Sequence, residues 1–168
     1  MKHSLFALLL SLPGYAFAQP DTLWIPDNGT ILPYAVNYEP ISTEASSKRV
    51  GRFTFDTSRV AVELDYKRGT PSGVYRAYYP DGRPLIFAVY GWGTLHGDWT
   101  EYDEMGNVSL KGQYRQGERK GPWMFREEGI KGRYKHGVKN GLWKYYEKGR
   151  VVRSEKYRKG KMVRTRNY

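Results

Sequence analysis

The chain has 168 residues, 28 Lys and Arg against 17 Asp and Glu, a formal net charge of +11, and no Cys. The missing cysteines exclude disulfides, thiolate metal ligation and the lipid anchor of a bacterial lipoprotein, which needs a Cys just after its leader. The charge selects acidic partners: nucleic acid, anionic headgroups, acidic glycans or acidic proteins.

Residues 1–18 follow the pattern of a secretory leader. Lys2 and His3 precede the apolar run Leu5 to Leu12, Pro13-Gly14 break it, and Ala16-Phe17-Ala18 forms a small-x-small cleavage site before Gln19. The run falls short of the ~20 apolar residues that a membrane span needs. The expected address is the periplasm, reached through a cleaved leader. Export removes nucleic acid from the candidate partners, because it is scarce outside the cytoplasm. About 150 residues then remain, enough for one domain.

Residues 19–50 do not repeat. Pro20, Pro26, Pro33 and Pro40 punctuate them, and Ser42 to Ser47 is polar. Asp27-Asn28-Gly29 lies between two short apolar runs and suggests one hairpin, with Pro26 at a sheet edge. The segment is read as an N-terminal cap and linker, since repeat arrays need their ends blocked.

Residues 51–168 repeat. Tyr, two residues, Gly, three residues, Gly recurs as Tyr66/Gly69/Gly73, Tyr90/Gly93/Gly97, Tyr114/Gly117/Gly121 and Tyr134/Gly137/Gly141. An aromatic follows each last Gly by two positions: Tyr75, Trp99, Trp123 and Trp143. A broken copy has Tyr157 and Gly160, with Arg164 in place of the last Gly. A second series, Gly82, Gly106, Gly129 and Gly149, marks another reversal per unit.

Between reversals the runs are short and rich in Val, Tyr, Phe and Trp, the pattern of strands joined by turns. Val60, Val62, Leu64 and Tyr66 alternate with Ala61, Glu63 and Asp65, so one face turns to a core. Val108, Leu110, Gly112 and Tyr114 repeat this, and Ile130, Gly132 and Tyr134 shorten it. The expected fold is all-β: an elongated array of about five stacked antiparallel hairpins after the cap.

Gly97, Trp99, Tyr102, Gly106, Tyr114 and Gly117, repeated as Gly141, Trp143, Tyr146, Gly149, Tyr157 and Gly160, resemble the MORN repeat. The variant is closest to bacterial YwqK-like proteins, often labelled antitoxins. The likeness spans about residues 51–163, with departures at Phe53, Asp56-Thr57-Ser58, Phe125 and Arg126. It implies stacked hairpins and a binding or scaffolding role, with no catalytic residues or cofactor.

Two sets of residues are candidate partner contacts. The position after each repeat Tyr is Lys67, Gly91, Arg115, Lys135 and Arg158, which stacked hairpins would align into a basic ladder, widened by Arg119 and Lys139. Solvated charge that blocks edge pairing is the alternative. Tyr78, Tyr102, Tyr145 and Tyr146 are the aromatic candidates; in the adjacent pairs Tyr78-Tyr79 and Tyr145-Tyr146 a strand points one ring inward and the other outward. The periodic Trp99, Trp123 and Trp143 read as core.

His96 and His136 occupy different positions in the unit, and Asp103-Glu104 and Glu127-Glu128 read as turn residues. Neither pattern suggests a reaction. The expected function is a periplasmic immunity protein that neutralises an acidic protein toxin by contact. The alternative is an envelope scaffold binding anionic lipid or polysaccharide. Oligomeric state is not legible.

Overall fold

The structure is a computed structural model and describes residues 21–27, 30–40 and 44–168. The leader expected over residues 1–18 and the Asn28-Gly29 turn lie outside the described residues. The fold is all-β and forms one open antiparallel sheet. Its first strands are β1 (Thr22–Asp27), β2 (Thr30–Tyr38), β3 (Ser46–Phe53), β4 (Val60–Lys67) and β5 (Thr70–Tyr78). Next come β6 (Pro84–Gly91), β7 (Thr94–Tyr102), β8 (Val108–Arg115), β9 (Glu118–Phe125) and β10 (Ile130–Lys135). The last are β11 (Val138–Lys139), β12 (Gly141–Glu147), β13 (Arg150–Arg158) and β14 (Lys161–Asn167).

Each strand pairs with its sequence neighbours; the two-residue β11 leans on β10, and β12 takes over the same edge. The non-repeating residues join this sheet through β1, β2 and β3. The boundary expected at residues 50 and 51 falls inside β3.

The two glycines of each motif do different jobs. The first closes a two-residue hairpin turn. Arg68/Gly69, Trp92/Gly93, Gln116/Gly117, His136/Gly137 and Lys159/Gly160 all have positive φ at both positions, as a type I′ turn requires. The second lies inside the following strand, at a bulge. Between Tyr66↔Pro71 and Leu64↔Tyr75, β5 carries two more residues than β4, and Gly73 sits among them with φ 127°. The Asp65 carboxylate accepts the Val74 N–H there, at 2.9 Å. The same step recurs from Tyr90↔Leu95 to Ala88↔Trp99, and from Gln113↔Lys120 to Lys111↔Met124. Where Arg164 replaces the glycine, the step shrinks to one residue, between Tyr157↔Met162 and Lys156↔Arg164.

A single layer has no second sheet to cover its apolar face, so the side chains cover one another. Trp99, Trp123 and Trp143 are buried, as their period implies. They alternate edge-on with Tyr114, Tyr134 and Tyr157, at centroid distances of 5.7, 5.2, 5.6, 5.0 and 6.2 Å along the series. Each edge-on pair adds ~0.5–1.5 kcal/mol beyond its buried area.

The Trp123 and Trp143 indoles lie flat because the adjacent strand offers no side chain beneath them. A Cβ on Gly112 would stand 2.2 Å from the Trp123 ring, and one on Gly132 would stand 2.2 Å from the Trp143 ring. Neither glycine has a positive φ. Gly132→Ala is therefore expected to destabilise by steric conflict alone, by about 3 kcal/mol. Gly117→Ala meets open space and costs only backbone strain, about 1 kcal/mol. Urea denaturation of the two variants checks the ratio.

Candidate functional site

The five motif turns emerge on one edge of the sheet and are tied together by backbone bonds. Gly93 N–H donates to the Pro71 carbonyl at 2.9 Å, Gly117 to Leu95 at 2.9 Å, Gly137 to Arg119 at 3.2 Å and Gly160 to Lys139 at 3.0 Å. Each turn thus rests on the unit before it. Successive turns stand two strands apart, roughly 10 Å.

Lys67, Arg115, Lys135 and Arg158 flank these turns and are exposed. They face Thr70, Glu118, Val138 and Lys161 across them. None of the four forms an ion pair among the described residues. The register therefore brings the four ladder cations to one edge.

The gap in the ladder is Gly91. A Cβ there would lie 3.2 Å from His96 Cβ, so its absence makes room for the imidazole. The neighbouring Trp92 packs edge-on against that imidazole at 5.9 Å and is 84 % exposed. Its φ of 49° is unfavourable for a bulky side chain. Sequence reading passed over Trp92 because it lies outside the Trp period. The signal was there: it is the one aromatic at the first turn position.

Arg119 and Lys139 do not join the edge. They precede the bulge glycines by two and turn onto the aromatic face. The Arg119 guanidinium lies 4.7 Å from the Trp123 ring centroid and donates to the Tyr134 hydroxyl at 3.1 Å. Lys139 Nζ sits 4.3 Å over Trp143 and 4.9 Å over Tyr157. Burial lowers the pKa of its ammonium, which the Glu155 charge partly offsets. Units with Pro71 and Leu95 at this position fill it with an apolar group instead, Leu95 being buried.

The tyrosine candidates are dispersed. Tyr78 donates to Glu63 at 2.9 Å on the face away from the core. Tyr146 lies under Lys131 Nζ at 5.4 Å. Tyr145 turns to the core side, donating to Glu155 beneath Arg153 at 4.0 Å. Tyr102 is half-buried, and its carbonyl accepts the Tyr79 hydroxyl.

Two carboxylates enter the aromatic face and meet opposite fates. Burial works against ionisation of Glu155, but hydroxyls of Tyr145 and Tyr157, with Arg153 at 3.3 Å, hold its pKa below the ordinary range. Among the described residues, Glu101 receives only the Trp99 indole N–H, at 2.9 Å. Burial pushes its pKa up to about 7, against the pull of that N–H and of Arg119. Among the described residues, Trp123 and Trp143 have no such acceptor for Nε1.

The folded state binds the Glu101 proton more tightly than the unfolded chain does. Stability is therefore full below the unfolded pKa of about 4.5 and falls as pH rises to about 7. The loss is about 3 kcal/mol. Glu101→Gln is expected to flatten that slope and to raise the melting temperature at pH 8; calorimetry from pH 4 to pH 8 measures both.

Compared with known proteins, the chain matches no family model and no curated sequence.

Proposed function

We propose that the chain is an exported immunity-type protein that neutralises a secreted protein toxin by docking its turn edge on an acidic surface of the toxin. The supporting observation is the row of turns bonded one to the next through Gly93, Gly117, Gly137 and Gly160. Their backbone is already ordered, so little ordering entropy opposes binding. Trp92 supplies an exposed anchor of the type that dominates protein interfaces. Lys67, Arg115, Lys135 and Arg158 supply the field that steers an acidic partner to it. The immunity role itself extends the resemblance to YwqK-like repeats, and export extends the leader pattern of residues 1–18. No reaction is assigned to the protein.

The experiment co-expresses the exported protein with whichever secreted hydrolase its neighbouring genes encode and measures growth. Wild type restores growth. Trp92→Asn combined with Arg115→Glu and Lys135→Glu does not, and its affinity for the purified effector drops at least tenfold. Asn accepts the positive φ of this turn position. The single Trp92→Asn variant should therefore gain about 1 kcal/mol of stability, which separates lost binding from lost folding. Absence of rescue by the exported wild type rejects the immunity role.

A further inference from the structure

The face opposite the aromatic core changes character along the array. On its N-terminal part the cations are matched: Lys48 and Arg76 reach Glu63 at 3.5 and 4.0 Å. From β8 onward the matching ends. Residues 111–168 hold 19 of the 28 Lys and Arg but 5 of the 17 Asp and Glu.

Strand register sorts these charges into two tracks across the sheet. One track runs from Lys111 through Met124 to Lys131, Lys144, Ser154 and Arg166. Beside it lie Lys120, Arg133, Lys156 and Arg164. All eight cations are exposed, and none forms an ion pair among the described residues. Lys131 stands directly opposite Lys144, and Lys156 directly opposite Arg164. Like charges in direct cross-strand pairs destabilise a sheet. Folding does not call for them.

Aromatic rings accompany the tracks. Tyr146 lies under Lys131 at 5.4 Å, and Tyr168 under Arg166 at 5.0 Å. The Tyr168 hydroxyl meets Ser154 Oγ at 3.2 Å. Leu142, Ser154, Lys156, Arg166 and Tyr168 frame a depression of 180 Å³ between the tracks.

We propose that this face binds a linear anionic polysaccharide laid across the strands. Adjacent strands are ~4.8 Å apart, close to the length of one sugar ring. Successive uronate or sulfate groups therefore meet successive side chains of a track. Tyrosine rings offer apolar platforms to sugar faces, and the exposed Tyr168 hydroxyl offers a hydrogen bond. The core of a protein interface is depleted in Lys, whereas here Lys predominates. A bilayer presents headgroups without direction, whereas these cations form lines. The site is separate from the turn edge and does not depend on the immunity role.

Fluorescence anisotropy with labelled dextran sulfate and polygalacturonate tests this, against neutral dextran, poly-L-glutamate, duplex DNA and phosphatidylglycerol vesicles. The two anionic polysaccharides should bind at least tenfold more tightly than every other probe, and binding should weaken linearly with the logarithm of salt. Lys144→Glu with Lys156→Glu places carboxylates opposite Lys131 and Arg164, so the sheet should melt no lower than wild type while binding falls at least tenfold. Lys144→Gln with Lys156→Gln should give an intermediate loss. Lys67→Glu with Arg115→Glu, on the turn edge, should change binding less than twofold. Equal binding of neutral dextran, preference for polyglutamate, DNA or vesicles, or equal loss in the turn-edge variant overturns the proposal.

Discussion

An indole lying on a glycine is the contact on which the architecture depends. A sheet without a partner layer must make its own roof, and a tryptophan can do so only if the strand beside it has nothing to lift the ring. The chain graduates this exchange of volume. Tyr75 faces Leu64, Trp99 faces Ala88, and Trp123 and Trp143 lie over Gly112 and Gly132. The smaller residue always stands two positions before the repeat tyrosine. In the last unit that position is Glu155, and its partner on β14 is Thr165 rather than an aromatic. There the roof is polar: a carboxylate fixed by two tyrosine hydroxyls and Arg153.

The same geometry frees the rest of the molecule. Because one face carries most of the packing, the other face and the turn edge can vary in charge at little cost to folding. The charge is therefore unevenly shared. Residues 1–110 hold 9 Lys and Arg against 12 Asp and Glu, and the basic excess lies wholly in the later units. The edge and the face are chemically distinct. The edge interleaves cations with one projecting indole, and the C-terminal face is a plain of lysine and arginine with two flanking tyrosines.

Much of the fold was legible because glycine and aromatic residues keep a fixed phase. Strict alternation from Val60 to Tyr66 gave the strand period, and Tyr-x-x-Gly marked the turns. The four ladder cations came together because they sit next to those turns, where position in the unit fixes position in space. Arg119 and Lys139 were misplaced for a definite reason. They pair across the motif turns with Tyr114 and Tyr134, so they take the tyrosines' face rather than the ladder's edge. That partnership shows only once the pairing of strands is known. The charged face was hidden in the same way. Lys111 and Lys131 stand three residues before a repeat tyrosine, and Arg133 and Lys156 one before, but only the register from β8 to β14 gathers them with Lys120, Lys144, Arg164 and Arg166, although the imbalance of charge after residue 110 was open to counting.

The bonds from Gly93, Gly117, Gly137 and Gly160 each reach back one unit and no further. Cohesion is accordingly distributed in equal links rather than gathered at a centre. Under tension applied along the array, such a sheet yields from a free end, one hairpin at a time, and the remaining units keep their shape. A protein built like this does not fail all at once: it unravels.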